Sequence, residues 1–211
     1  MRRQAICYVV AVGTLLAGEP ARADMVDTSL MQTWEHCALC HNHDGISRTS
    51  KFPKLAGQTS AYLKKQLRDF REDRRANDGG MMNGGAASQF APEKLFAAAR
   101  YFASLPPPPP VVSAAAPAVL ARGRSLFEKG DAATGIPACS GCHGATAAAA
   151  TGRPRLEAQH ARYLKKQLRD FRDGERANDT GGPMRGVAAR LGDADIDAVA
   201  EFLSAARRTA P

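Results

Sequence analysis

YLKKQLRDFR fills residues 62–71, and the same ten residues return at 163–172. The identity resumes at RAND, residues 75–78 and 176–179, and upstream Pro53, Leu55 and Gln58 pair with Pro154, Leu156 and Gln159. A period of about a hundred residues is too long for a solenoid repeat, so duplication of a whole small domain explains it. Five prolines at 106–110, followed by an Ala/Pro-rich stretch to 117, separate the copies. Such a run predicts an extended, semi-rigid polyproline segment of roughly 15 Å. The chain therefore divides into a first domain at 24–105, a linker at 106–117 and a second domain at 118–211. Each is near the size at which a hydrophobic core alone is marginal, so a bound prosthetic group is expected to supply what the core lacks.

The periodicity is helical. Tyr62, Leu63, Gln66, Leu67 and Phe70 form one stripe over residues 62–72. Leu95, Phe96, Ala99 and Phe102 form another over 92–104, with proline at its start. Residues 118–129 (Leu120, Leu126, Phe127) and 193–206 (Ile196, Val199, Ala200, Leu203) read the same way. No stretch alternates with period two, which predicts an all-α fold with three or four helices and long loops in each copy.

Residues 1–23 read as an address. Arg2 and Arg3 precede a short apolar run at 6–17, and Ala21-Arg22-Ala23 fits a small-residue cleavage site. The run is too short for a comfortable membrane span. Cleavage would lower the formal charge from +8 to +6, leaving 26 cations against 20 anions. Export argues against nucleic acid as the partner of this modest surplus, while an acidic protein or peripheral contact with an anionic membrane remains compatible with it. Cys7 would leave with the leader, so the mature chain keeps Cys37, Cys40, Cys139 and Cys142.

Those four lie in CALCH, residues 37–41, and CSGCH, residues 139–143. C-x-x-C-H is the attachment signature of c-type haem. On a helical turn, positions i, i+3 and i+4 face the same way, so two thiols and the imidazole of His41 or His143 address one ligand. A thioredoxin-like motif would need a βαβ context, and a four-cysteine zinc site would have to bridge both copies and leave the histidines unused. Two haem c groups are expected, each attached through a cysteine pair and ligated by a histidine.

The sixth ligand separates a carrier from a catalyst. Met82 and Met184 each lie 41 positions after the motif histidine, in Gly-rich stretches following Asn-Asp. Thioether ligation raises the haem potential and leaves no open iron position. Met81 is the alternative to Met82, because the two adjoin and the loops differ in length. Asn to methionine is five positions in the first copy and six in the second.

The motifs, the FPKLAGQ block at 52–58 with the following YL-x-KQL, and RAND-x-GG-x-MRGVAA-x-L at 176–191 together resemble the dihaem cytochrome c4 family over the whole mature chain. The resemblance implies two tandem class I cytochrome c domains in the bacterial periplasm, and electron delivery to a membrane terminal oxidase, often of the cbb3 type, from an upstream donor. It implies His41 and His143 as proximal ligands, Met82 and Met184 as distal ones, and Pro53 and Pro154 as matches to the family proline near the proximal histidine, where a backbone carbonyl can orient the imidazole. Arg153-Pro154-Arg155-Leu156 departs from the family's Phe-Pro-Lys-Leu. Its cations would hold a haem propionate, favour reduced iron, or simply be solvated.

The function expected is electron carriage without catalysis. The alternatives are an electron-transfer subunit of a dehydrogenase complex and, less well supported, a peroxidase-like dihaem enzyme with the first iron as its open centre. His36, His43 and His160 are further ligand candidates by residue type alone. Lys64, Lys65, Arg68, Arg71 and their copies read either as a docking surface for an acidic partner or as a solvated helix face. Trp34 reads as packing beside the first motif.

Overall fold

In the computed structural model the described residues are 31–207; the expected leader at 1–23 lies outside them. They form α1 (Thr33–His41), α2 (Ser60–Arg71), a π-turn (Met82–Ala86), α3 (Pro92–Ser104), α4 (Pro117–Glu128), α5 (Ser140–His143), α6 (Ala145–Thr151), α7 (Ala161–Asp173), α8 (Pro183–Ala188) and α9 (Asp193–Ala205). One antiparallel bridge, Asp131 to Ile136, is the only extended pairing among the described residues. The four helices expected from periodicity are present within two residues of their expected ends. Ala-rich residues 145–150 belong to α6. Gly144 and Gly152 flank it, and Gly152 closes it at φ 67°.

Each copy has its own apolar centre. In the first, Leu63, Ala99 and Phe102 are buried beneath Trp34, Leu55 and Leu67. In the second, Leu126, Leu164, Ile196, Val199 and Leu203 are buried together. Here α4 crosses α9 so closely that a Cβ on Gly123 would sit 2.1 Å from the Ala198 carbonyl oxygen.

The decapeptide is repeated because its residues bond to each other across the copies. Arg75 Nη1 donates to Gln66 Oε1 at 2.7 Å, and its Nη2 reaches Tyr163 Oη at 3.2 Å and Gln167 Oε1 at 3.0 Å. Arg176 mirrors it, with Nη1 to Gln167 at 2.6 Å and Nη2 to Tyr62 at 3.2 Å and Gln66 at 2.9 Å. Asn178 donates to Asp69, and Asn77 to Asp170. This is the reciprocal i-to-j, j-to-i pattern of an isologous contact, built within one chain. Each guanidinium also lies 4.5 Å from a ring centroid of its own copy, Phe70 or Phe171.

Much of the basic run is engaged within the chain. Lys65 reaches the Asn178 carbonyl and Lys166 the Asn77 carbonyl, at 2.6 and 2.7 Å. Lys165 pairs with Glu201, Arg169 and Arg172 with Asp193, and Arg71 donates to the Phe90 carbonyl. The proline stretch is a strap rather than a free tether. Pro107 lies against Gly57 of the first copy, while Val111 N–H donates to the Ser204 carbonyl of the second at 3.0 Å.

Two outcomes follow from this packing. Gly123→Ala gains helix propensity of about 1 kcal/mol, but the clash with backbone should win and lower the unfolding free energy by about 3 kcal/mol, read from the denaturant midpoint. Burial alone would raise the Asp69 carboxyl, but Lys65, Asn178 and Arg74 donate to it and hold it below the ordinary carboxylate range. A depressed folded value contributes stability above the unfolded value of about 3.9 and loses it as pH falls through the folded one. Asp69→Asn should thus be less stable than the parent at neutral pH, with the gap closing as pH is lowered from about 5 to 2.

Candidate haem-binding sites

The first cysteine pair and its histidine lie on α1, where Glu35 and Gln32 cap the start reciprocally. Asn42 takes φ 60° just after His41 and ends the helix, its N–H bonding Ala38 O at 2.8 Å. In the second copy Cys139 precedes the single turn of α5, and His143 N–H bonds the Cys139 carbonyl at 2.9 Å. One helical turn thus brings cysteine and histidine to the same side in each copy, as the i, i+4 spacing predicts.

Both imidazoles are fixed in the same way. His41 Nδ1 donates to the Pro53 carbonyl at 2.8 Å, and His143 Nδ1 to the Pro154 carbonyl at 2.9 Å. Burial pushes both rings below the ordinary histidine value, against the opposing effect of that carbonyl. Each ring is then neutral, with its proton on Nδ1 and the Nε2 lone pair available as a donor to a metal. Burial also pushes the Cys37 and Cys139 thiols up to about 11. A redox-active C-x-x-C needs a lowered thiol instead, so that reading loses its chemistry here. All four thiols are free rather than paired in disulfides. Two thiols and a tautomer-locked imidazole per copy suit covalent haem with a nitrogen ligand.

The methionines differ in their setting. Met81 is 39% exposed, whereas Met82 and Met184 are half-buried. Asp78 and Asp179 are 101 residues apart, as are the fully buried Ala87 and Ala188, but Met82 and Met184 are 102 apart. The first copy therefore carries one residue more between methionine and buried alanine. The π-turn absorbs it. Ala87 N–H bonds Met82 O at 2.9 Å across five residues, where α8 uses four-residue turns such as Ala189 to Arg185. Choosing Met81 would double the mismatch.

The remaining histidines are engaged elsewhere. His36 meets the Phe90 ring and His43 the edge of Trp34, which itself stacks on Tyr101 at 4.1 Å. His160 Nε2 lies 3.0 Å from the Ser47 carbonyl of the first copy. Of the cations in the variant RPRL segment, Arg153 is exposed. Arg155 is buried at the contact between copies, as is its counterpart Lys54. Neither copy is thus distinguished by a buried cation at that position. Sequence reasoning missed a role for Gln58 and Gln159, although their place in the repeat was the signal. Each side-chain amide bonds the peptide following the repeated proline of the opposite copy.

Residues 120–207 match the family model described as cytochrome c. Cytochrome c4 of Thiocapsa roseopersicina is 44% identical over 170 residues, covering 79% of this chain and 85% of that protein. A thiosulfate dehydrogenase electron acceptor of Thiomonas intermedia is 36% identical, covering 80% of this chain and 77% of its own. The crystal structure of reduced recombinant cytochrome c4 from Pseudomonas stutzeri superposes with a TM-score of 0.72 at 35% identity, covering 83% of this chain and 97% of that one.

If the π-turn is what accommodates the extra residue, deleting Gly84 should be tolerated. The unfolding free energy should stay within about 0.5 kcal/mol of the parent, whereas deleting Gly186 from the four-residue turn should cost several times more. Denaturant titration of both deletions makes the comparison.

Proposed function

The chain belongs to the cytochrome c4 family, electron carriers with two haem c groups, and from that premise we propose that it works in the periplasm, passing electrons from an upstream donor to a membrane terminal oxidase. The observation that carries the reading is the matched pair of imidazoles, each locked through Nδ1 onto the carbonyl of a proline at the same place in the repeat. Cys37 and Cys40 would hold one haem through thioether bonds, and Cys139 and Cys142 the other. His41 and Met82 would ligate the first iron, and His143 and Met184 the second. The bound groups supply reversible one-electron chemistry. The protein's part is to hold neutral nitrogen and sulfur donors in place, so that oxidation and reduction require little rearrangement. The domain limits that fit this arrangement are 24–105 and 118–211, joined by the strap at 106–117, after removal of residues 1–23. No helix among the described residues is long and apolar enough to cross a membrane, which suits an exported chain acting at a membrane surface.

A second reading, an electron-accepting partner of a dehydrogenase, is favoured by the similarity to the Thiomonas intermedia protein. It keeps the same chemistry and changes only the donor. Steady-state reduction by candidate dehydrogenases against oxidation by terminal-oxidase membranes separates the two.

The ligand assignment has its own test. Optical and electron-spin spectra should count two low-spin His/Met centres that bind neither peroxide nor carbon monoxide readily. Met82→Ala should abolish the methionine–iron band of one haem, Met184→Ala that of the other, and Met81→Ala neither. A high-spin iron in the parent, or loss of the band in Met81→Ala, contradicts the assignment.

A further inference from the structure

The peptide that receives each ligand histidine is also held by a side chain from the opposite copy. The carbonyl of Pro53 accepts from His41 Nδ1 at 2.8 Å, and the N–H of that same peptide unit, on Lys54, donates to Gln159 Oε1 at 2.9 Å. The Gln159 amide closes a ring of bonds by donating from Nε2 to the Lys54 carbonyl at 2.9 Å. The second copy repeats the pattern with roles exchanged. Pro154 O accepts from His143 Nδ1 at 2.9 Å, Arg155 N–H donates to Gln58 Oε1 at 2.8 Å, and Gln58 Nε2 donates to Arg155 O at 2.9 Å. Gln58 and Gln159 are 5% and 4% exposed, so neither amide trades these bonds for water. Each Oε1 also takes the N–H of the next residue, Thr59 or His160, which fixes the side chain at the start of α2 or α7.

We propose that Gln58 and Gln159 are crossed positioning residues, each tuning the iron ligand of the other copy through one shared peptide unit. The physical basis is hydrogen-bond cooperativity. A peptide whose N–H is engaged by a good acceptor has a more negative carbonyl oxygen. That oxygen draws harder on the imidazole proton, makes the ring a stronger electron donor and favours oxidised iron. Gln159 thereby acts on His41, and Gln58 on His143. The two potentials become properties of the assembled pair rather than of either domain alone. The same bonds hold the copies together, so a partner that shifts one copy against the other would move a potential without touching a ligand.

The inference rests on His41 and His143 being the proximal ligands, and the experiment separates the two claims. The full haem-bearing protein is prepared as parent, Gln159→Leu, Gln58→Leu and Gln159→Glu. The Nδ1–H resonance of each ligand imidazole is followed in the reduced form, and both potentials are titrated. Gln159→Leu should move the His41 resonance upfield and raise only that haem's potential, changing its oxidised-to-reduced ratio about two- to fivefold at fixed potential. Gln58→Leu should do the same at His143 alone. Gln159→Glu keeps an acceptor for the Lys54 N–H and should move the His41 resonance the opposite way, which guards against a leucine variant that does not fold. Effects confined to the variant's own copy, or equal at both haems, would overturn the crossed assignment. A parent lacking two histidine-ligated haems would instead overturn the ligand reading beneath it.

Discussion

Two buried guanidinium groups set the terms for the rest of this structure. Arg75 and Arg176 are each 5% exposed, and an arginine side chain stays charged at any pH a protein meets. A charge can be withdrawn from water only if its donors are met. Here they are met by both copies at once. Gln66 and Gln167 each accept from both arginines, and Tyr62 and Tyr163 receive the outer nitrogens across the contact. Neither copy can satisfy its own arginine fully, so each is completed by the other.

That constraint explains why the decapeptide and RAND persist unchanged in two copies that otherwise diverge. An internal two-fold contact requires the same residue on both sides, because each plays both roles. Segments outside that contact differ between the copies. CALCH becomes CSGCH, the helix after the second motif turns alanine-rich, and the methionine loops differ by one residue. The π-turn at 82–86 absorbs that residue locally, and the register of α3 against its core is kept.

Much of this was legible beforehand. Apolar spacing located α2, α3, α4 and α9, because their buried stripes are dictated by the helical period. The pentapeptides pointed to haem because two thiols and an imidazole on one turn have few other uses. What could not be read was which polar residues of a helix meet a partner from a hundred residues away. Lys65 and Lys166 look like any solvated lysines until their targets, backbone carbonyls of the opposite copy, are known. The proline run was legible as a semi-rigid spacer, but only in part, for a related reason. Its composition describes a spacer, but not whether that spacer lies against something, as it does at Gly57 and Ser204. Gln58 and Gln159 were visible as repeats, yet a peptide-bound amide has no sequence signature.

Through this shared polar contact the two copies should melt as one cooperative body, which differential scanning calorimetry of the haem-bearing protein can check. A single transition, with calorimetric and van't Hoff enthalpies equal, is what the crossed arginines predict. Replacement of both arginines by leucine should split it into two. Two well-separated transitions in the parent itself would show the copies melting independently, with no cooperative contact between them.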